Sequence, residues 1–229
     1  MTEFSTHNLV NIKGIIFDFD GTLFNKSLIA LRLVIACPAE AIFLLMERLV
    51  RKKFAGIDFY SSEEYYQAFF TALGKACLRS PEKMKLWYFN RFMPRMTEVL
   101  RKHYRARHGT AELLQHCTNR SIKIAIYSDY PFLKDRFQAI GLTYQDNIRL
   151  YDPEIFGAQK PAVRPFLLIA NDLGLTQEEI LVVGDRKETD GMGAANAGMG
   201  FFFLKTSRHW DYLHTLLMEK LAAPKNAIF

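Results

Sequence analysis

Three short apolar runs, each closing on a polar residue, constrain the fold of this 229-residue chain more than any other feature. They are GIIFD at 14–18, IKIAIYS at 122–128 and ILVVGD at 180–185; a fourth, GFFFL at 200–204, follows a glycine-rich turn. Runs this short, rich in β-branched and aromatic residues, predict strands buried on both faces. Helical patterns separate the later ones. TAELLQHC at 110–117 opens on a threonine cap, and PFLKDRFQAI at 131–140 begins with proline and stops at Gly141. Residues 163–173 precede the third run, and 209–222 form a closing helix. Such alternation predicts a doubly wound parallel sheet with helices on both faces. Ligands of such sheets gather at the carboxyl ends of the strands. Asp18, Ser128 and Asp185 stand at those ends, so three distant segments deliver polar groups to one edge.

Between the first strand and the remainder lies a segment of different character, 25–108. Ser61 and Glu64 have capping-box spacing, and Ser80-Pro81-Glu82 announces another helix. An all-helical insertion is expected there. Its early part, SLIALRLVIACPAEAIFLLM at 27–46, has the length of a membrane span. Arg32, Pro38 and Glu40 interrupt it, and charge at mid-bilayer is costly. The expectation is a pair of buried helices broken at Pro38.

Hydrophobic residues make up 49% and charged residues 24%, which excludes disordered and collagen-like classes. A net charge of +6 favours anionic partners, without choosing among phosphorylated small molecules, nucleic acid and anionic membranes. Cys37, Cys77 and Cys117 are odd in number and widely spaced, indicating neither zinc nor a disulfide framework. The first residues lack the pattern of a secretory signal, so a cytoplasmic location is the default expectation.

Paired acids at a strand end, Asp18 and Asp20, are unexplained by folding, because like charges disfavour one another. In an extended segment residues two apart point the same way, so both carboxylates can flank one group while Gly21 turns the chain. Asp18-Phe19-Asp20-Gly21-Thr22-Leu23, Ser128, Lys160 before Pro161, and Gly184-Asp185 followed by Asp190 appear in that order. This set resembles the haloacid dehalogenase superfamily, in its Mg-dependent phosphatase branch, and the helical insertion resembles that family's C1 cap.

The resemblance implies a Rossmann-like α/β core over 1–24 and 109–229 and a helical cap over 25–108. It implies that Asp18 attacks phosphorus to give an aspartyl-phosphate and that Asp20 serves as general acid and base. It also implies Mg²⁺ held by Asp18, the Asp20 carbonyl and Asp185, with Asp190 either a further ligand or an orienting acid. Ser128, Asp129, Lys160, Gly21 and Thr22 would surround the phosphate, Lys160 neutralising its charge. Taken singly, each has a plainer reading: Asp185 or Asp190 as a helix cap, Ser128 as a turn serine, Lys160 as a solvated lysine.

Two departures stand out. Asn25 occupies a position where many relatives carry an acid, and Asp129 one where asparagine is frequent. Dehalogenating members lack the second acid that this chain has in Asp20. The implied activity is hydrolysis of a small phosphorylated metabolite; the alternatives are a sugar-phosphate mutase and a binding protein with little turnover. The lack of any histidine between His7 and His103 weakens the mutase.

The eleven aromatic residues from Phe54 to Phe92 read mostly as packing between helices. RKHYRARH at 101–108 reads as a solvated helix face or a positive rim, and Arg51-Lys52-Lys53 as a charge run ending a helix. Neither nucleic acid nor a membrane is expected as a partner, and the oligomeric state, monomer or homodimer, is open.

Overall fold

The computed structural model describes residues 11–220. Five parallel strands form one sheet in the order β3-β2-β1-β4-β5. They are β1 (Gly14–Asp18), β2 (Lys123–Tyr127), β3 (Ile148–Tyr151), β4 (Ile180–Gly184) and β5 (Gly200–Phe203). β1 is central: Asp18 pairs with Tyr127 of β2, and Phe17 with Val183 of β4. All four expected strands are present, within a residue of their predicted ends. β3 was not anticipated; it is a four-residue edge strand with Arg149 exposed, too short and too polar to stand out as an apolar run.

The two faces of β1 feed different cores. Ile15 and Phe17 join a large cluster that includes Trp210 and Leu213 and continues into the insertion through Tyr65, Phe69 and Tyr88. Ile16 joins a smaller one with Ala125, Val182, Phe166 and Ile169. Alternation along a strand sends successive side chains to opposite faces, and both faces here are covered by apolar residues.

The insertion is helical: α1 (Ile29–Ala36), α2 (Ala41–Phe54), α3 (Ser62–Cys77), α4 (Pro81–Trp87), a wide π-type turn at Tyr88–Phe92, and α5 (Met93–His103). Ser61 Oγ accepts from Glu64 N at 3.2 Å and Ser80 Oγ from Lys83 N at 3.3 Å, as the spacing predicts. The aromatic residues form the expected packing network, with Tyr65, Phe69, Phe70 and Tyr88 buried edge to face or stacked.

Three expectations change. The 27–46 segment is broken near Pro38 as predicted, but its helices are not buried; Leu31, Ile35 and Ile42 are more than half exposed. The arginine–lysine run closing α2 is not uniform, because Lys52 and Lys53 face solvent while Arg51 turns inward. The helix at 110–119, α6, has Gly109 at its cap position, and the Thr110 hydroxyl instead donates to the Arg107 carbonyl at 2.7 Å.

The remaining helices are α7 (Leu133–Ala139), α8 (Pro153–Phe156), α9 (Val163–Leu173), α10 (Met192–Asn196) and α11 (Ser207–Lys220). α7 starts two residues later than its proline suggests, after Phe132 at φ 59. The last two residues of the expected closing helix, 221 and 222, lie outside the described residues.

Candidate active site

At the carboxyl edge of the sheet, β1 ends on Asp18, and the loops leaving β2 and β4 begin with Ser128 and Asp185. Lys160, on the loop before α9, reaches in from the other side and is 2% exposed. Its Nζ donates to Asp18 Oδ1 at 2.5 Å and to Asp190 Oδ1 at 2.7 Å. Thr22 Oγ1 donates to the second Asp18 oxygen, Oδ2, at 2.9 Å. Asp18 is therefore gripped at both oxygens. Asp190, fully buried, also accepts from the Arg186 backbone N–H at 3.1 Å. That packing needs Gly184, where a Cβ would come within 2.4 Å of the Asp190 Cβ.

Asp185 and Asp20 complete the edge by another route. Lys26 Nζ donates to the Asp20 carbonyl oxygen at 2.8 Å and pairs with Asp185 Oδ2 at 2.6 Å. Gly21 makes this approach feasible. Its φ of +102° suits only glycine, and a Cβ there would lie 2.2 Å from Asp185 Oδ2. Arg107 fastens the same turn, donating to the carbonyls of Thr22 at 2.8 Å and Gly21 at 3.0 Å. One residue of the basic 101–108 run thus holds the motif, while Arg101 and Lys102 are solvated.

The Asp20 carboxylate points elsewhere. It pairs with the fully buried guanidinium of Arg136 on α7 and accepts from Ser128 Oγ at 3.0 Å. Arg136 also donates to Ser128 Oγ at 2.9 Å, which ties the ends of β1 and β2 together. Asp129 likewise spends both oxygens within the chain, on the Lys160 backbone N–H at 2.9 Å and on Arg186 at 3.3 Å. Asn25 stays at the surface, accepting from Ser27 N at 3.0 Å.

The two acids of the motif are pushed in opposite directions. Burial, reinforced by Asp190 and Asp20 and opposed by Lys160, raises Asp18 to about 6. Burial also acts on Asp20, but the charge and hydrogen bond of Arg136, with Lys26 and Ser128, outweigh it and lower its pKa. Asp185 is raised, by burial first and then by Asp18. Burial disfavours the charged form of Lys160, yet Asp18, Asp190 and Asp129 prevail and hold its pKa well above the usual range.

The carboxylates outnumber what the cations neutralise. Asp18, Asp185 and Asp190 each offer an oxygen within 4.8 Å of the others, and Asp185 Oδ1 is buried with no hydrogen-bond partner. An orphaned carboxylate oxygen beside two more is a donor set for a hard cation. These residues fit a divalent metal ion, and Lys26 already brings positive charge to the Asp20 carbonyl and Asp185.

The structure thus brings together Asp18, Thr22, Lys160, Asp185 and Asp190, and links Asp20 to Ser128 through a shared hydrogen bond. Lys26, Arg107 and Arg136 were missed from sequence. Arg136 carried a usable signal, a lone arginine on the apolar side of the PFLKDRFQAI helix; Lys26 and Arg107 look like ordinary surface cations in sequence.

Comparison with known proteins agrees with this architecture. The family model described as haloacid dehalogenase-like hydrolase matches residues 12–198. A predicted phosphoglycolate phosphatase from Haemophilus somnus 129pt is 21% identical, with 85% of this chain and 86% of that one covered and a TM-score of 0.59. An L-2-haloacid dehalogenase is 20% identical with the same coverages and the same TM-score. A 2-haloacid dehalogenase from Pseudomonas syringae pv. Tomato DC3000 is 19% identical, covering 84% and 86%, with a TM-score of 0.57. No curated protein matches the chain. At these identities the solved structures speak for the fold; the family match extends from just before β1 to just after α10, across every residue of the carboxylate cluster, and the chain belongs to the haloacid dehalogenase-like hydrolases.

Proposed function

We propose that this protein hydrolyses a phosphate monoester of a small metabolite, with Asp18 as nucleophile. The observation that carries the reading is the excess of carboxylate around Asp18: Asp185 and Asp190 bring oxygens within 4.8 Å of it, although Lys160 alone would neutralise a lone nucleophile. Displacing halide from a neutral carbon gives no use for such an excess. Attack of a carboxylate on a phosphate dianion requires it, because two anions must meet beside a cation. Asp18, Asp185, Asp190 and the Asp20 carbonyl would hold Mg²⁺, which would supply that neutralisation; the all-oxygen donor set suits a hard ion.

The chain's own residues do the rest. Lys160 and Thr22 hold the Asp18 carboxylate by both oxygens, fixing its direction of attack. As the new O–P bond forms, the ester O–P bond breaks, and the departing alkoxide takes a proton. Asp20 lies two residues from the nucleophile with its pKa lowered by Arg136, so in this arrangement it is a carboxylate. That state suits the second half-reaction, in which Asp20 takes a proton from the water that opens the aspartyl-phosphate. To serve the leaving group first, Asp20 must be protonated, which requires Arg136 to release it. In this reading Ser128 and Lys160 donate to the phosphoryl oxygens, and Asp129 positions Lys160 by accepting from its backbone N–H.

The test is phosphate release from a panel of phosphorylated metabolites with Mg²⁺ and with EDTA, run beside halide release from 2-haloacids, with Asp18→Asn as blank. Metal-dependent phosphate release absent from the variant supports the reading. Metal-independent halide release, or isomerised sugar phosphate without free phosphate, overturns it.

A further inference from the structure

Helices α1 and α2 leave a row of large apolar side chains in the open. Leu28, Leu31 and Ile35, then Ile42, Leu45 and Leu49, are between 47% and 69% exposed. Leu28 precedes α1 in a left-handed conformation; within the helices, Leu31 and Ile35 are four apart and Ile42, Leu45 and Leu49 three and four apart, which puts each set on one helix face, opposite the buried Leu33 and Glu47. Scattered exposed leucines need no explanation, but apolar stripes at helical spacing on two successive helices mark an interaction surface.

The charges of this segment are sorted by sign. Between Lys26 and Ile57 there are two acids, Glu40 and Glu47, and both are buried. Glu40 accepts from Trp87 Nε1 at 2.8 Å and pairs with Arg91; Glu47 pairs with Arg51 at 2.5 Å. Arg48, Lys52 and Lys53 remain exposed, Arg48 one turn beyond Leu45 and the two lysines one turn beyond Leu49. α5, packed against α1, adds exposed Arg101 and Lys102, and its exposed Glu98 is paired with Arg95 at 2.6 Å. The open face of α1 and α2 is therefore apolar and cationic.

We propose that this face docks on an anionic lipid bilayer, with α1 and α2 lying in the headgroup layer and Arg48, Lys52 and Lys53 on lipid phosphates. An amphipathic segment with apolar and basic groups on its open side is built for that interface. No single helix among the described residues is long and apolar enough to cross a membrane; the α1–α2 pair has the length and apolar character of a span only when taken together, and it turns by 106° at its break, which suits helices lying in the interface. A second copy of the chain is a poorer occupant. A two-fold contact sets the same patch against itself, here cation against cation.

Co-sedimentation of the full chain with vesicles tests this directly, without reference to its hydrolytic activity. Binding is expected to vesicles of phosphatidylcholine mixed with phosphatidylglycerol, to weaken with salt, and to be much lower on phosphatidylcholine alone. Lys52→Glu with Lys53→Glu is expected to weaken binding at least about tenfold. Leu31→Ser, Ile35→Ser and Leu45→Ser together should abolish it, with unchanged circular dichroism and melting because these side chains are exposed. Absence of binding to the anionic vesicles, or equal binding by all variants, overturns the proposal. So does a concentration-dependent dimer in sedimentation velocity that the serine variant disperses and that shuns vesicles.

Discussion

The sheet edge and the helical insertion both bury charge, and they neutralise it differently. In the insertion Glu47 meets Arg51 one to one, and the guanidinium spends its remaining donors on Tyr88 Oη at 2.7 Å and the Asp129 carbonyl at 2.7 Å, under the Tyr130 ring. At the sheet edge five carboxylates, Asp18, Asp20, Asp129, Asp185 and Asp190, face four cations, Lys26, Arg136, Lys160 and Arg186. The balanced pair is finished. The unbalanced cluster keeps an orphaned oxygen on Asp185 and, in Asp18, a carboxyl whose pKa is raised to about 6, the marks of a site that takes in a further positive charge. Burial of charge alone thus says little; the sign of what is left over separates a structural cluster from a chemical one.

The largest expected effect comes from Asp18→Asn, which removes the proposed nucleophile while keeping the side chain's shape and one acceptor for Lys160. Phosphatase turnover should fall at least about 10³-fold, with the melting temperature held or raised. Retained turnover would break the assignment.

Removing one cation from each cluster sharpens the contrast. Arg51→Met strands Glu47 and should cost roughly 3–5 kcal/mol in chemical denaturation, and Glu47→Gln in the same chain should recover part of it. Lys160→Met strands Asp18 and Asp190 at a similar cost, but Mg²⁺ should restore stability there and not in Arg51→Met. Equal responses to Mg²⁺ would erase the distinction.

Lys26 lends itself to a smaller test. Lys26→Met removes the ammonium that contacts Asp185 and the Asp20 carbonyl, so Mn²⁺ binding followed by electron paramagnetic resonance should tighten, about tenfold if one competing charge is lost. Weaker binding would assign Lys26 a supporting role instead.

A last test concerns a buried carboxylate with no ion-pair partner. Asp152 caps α8, accepting from Glu154 N at 2.9 Å, and burial, aided by Glu154, raises it to about 6. Because its folded pKa lies above the unfolded value, the folded state holds the proton more tightly, and stability from this group falls as pH rises from about 4 to about 6. Asp152→Asn keeps a capping oxygen and should be more stable than the parent at pH 7, by on the order of 1–3 kcal/mol, with the difference vanishing near pH 4. Thermal melts at the two pH values check it.

How much of this was legible beforehand varies with the physics. β1, β2 and β4 were plain because strands buried on both faces must be apolar throughout, and runs this short and this rich in β-branched and aromatic residues favour strand over buried helix. β3 was hidden, since an edge strand satisfies one partner and tolerates Arg149. Asp18, Thr22, Lys160, Asp185 and Asp190 were found through the order of their motifs, and the sheet register makes the reason visible. Arg136 and Lys26 were not found, because they stand outside the ordered motifs and only the fold brings them to Asp20 and Asp185. The 27–46 segment was misjudged for a related reason: hydrophobicity registers what a side chain prefers, and burial depends on whether another element arrives to cover it.

By itself the sequence determined the parallel sheet, the helical insertion and the gathering of acids at one edge, since strand period, cap residues and the βα alternation are local or nearly local properties. The tertiary structure alone decided the protonation tendencies of Asp18 and Asp20, two residues apart and shifted in opposite directions. It also decided which of Arg51, Lys52 and Lys53 turns inward, and which apolar face stays open. These depend on distances between segments remote in the chain, and electrostatic energy falls with distance in space, not with separation in sequence.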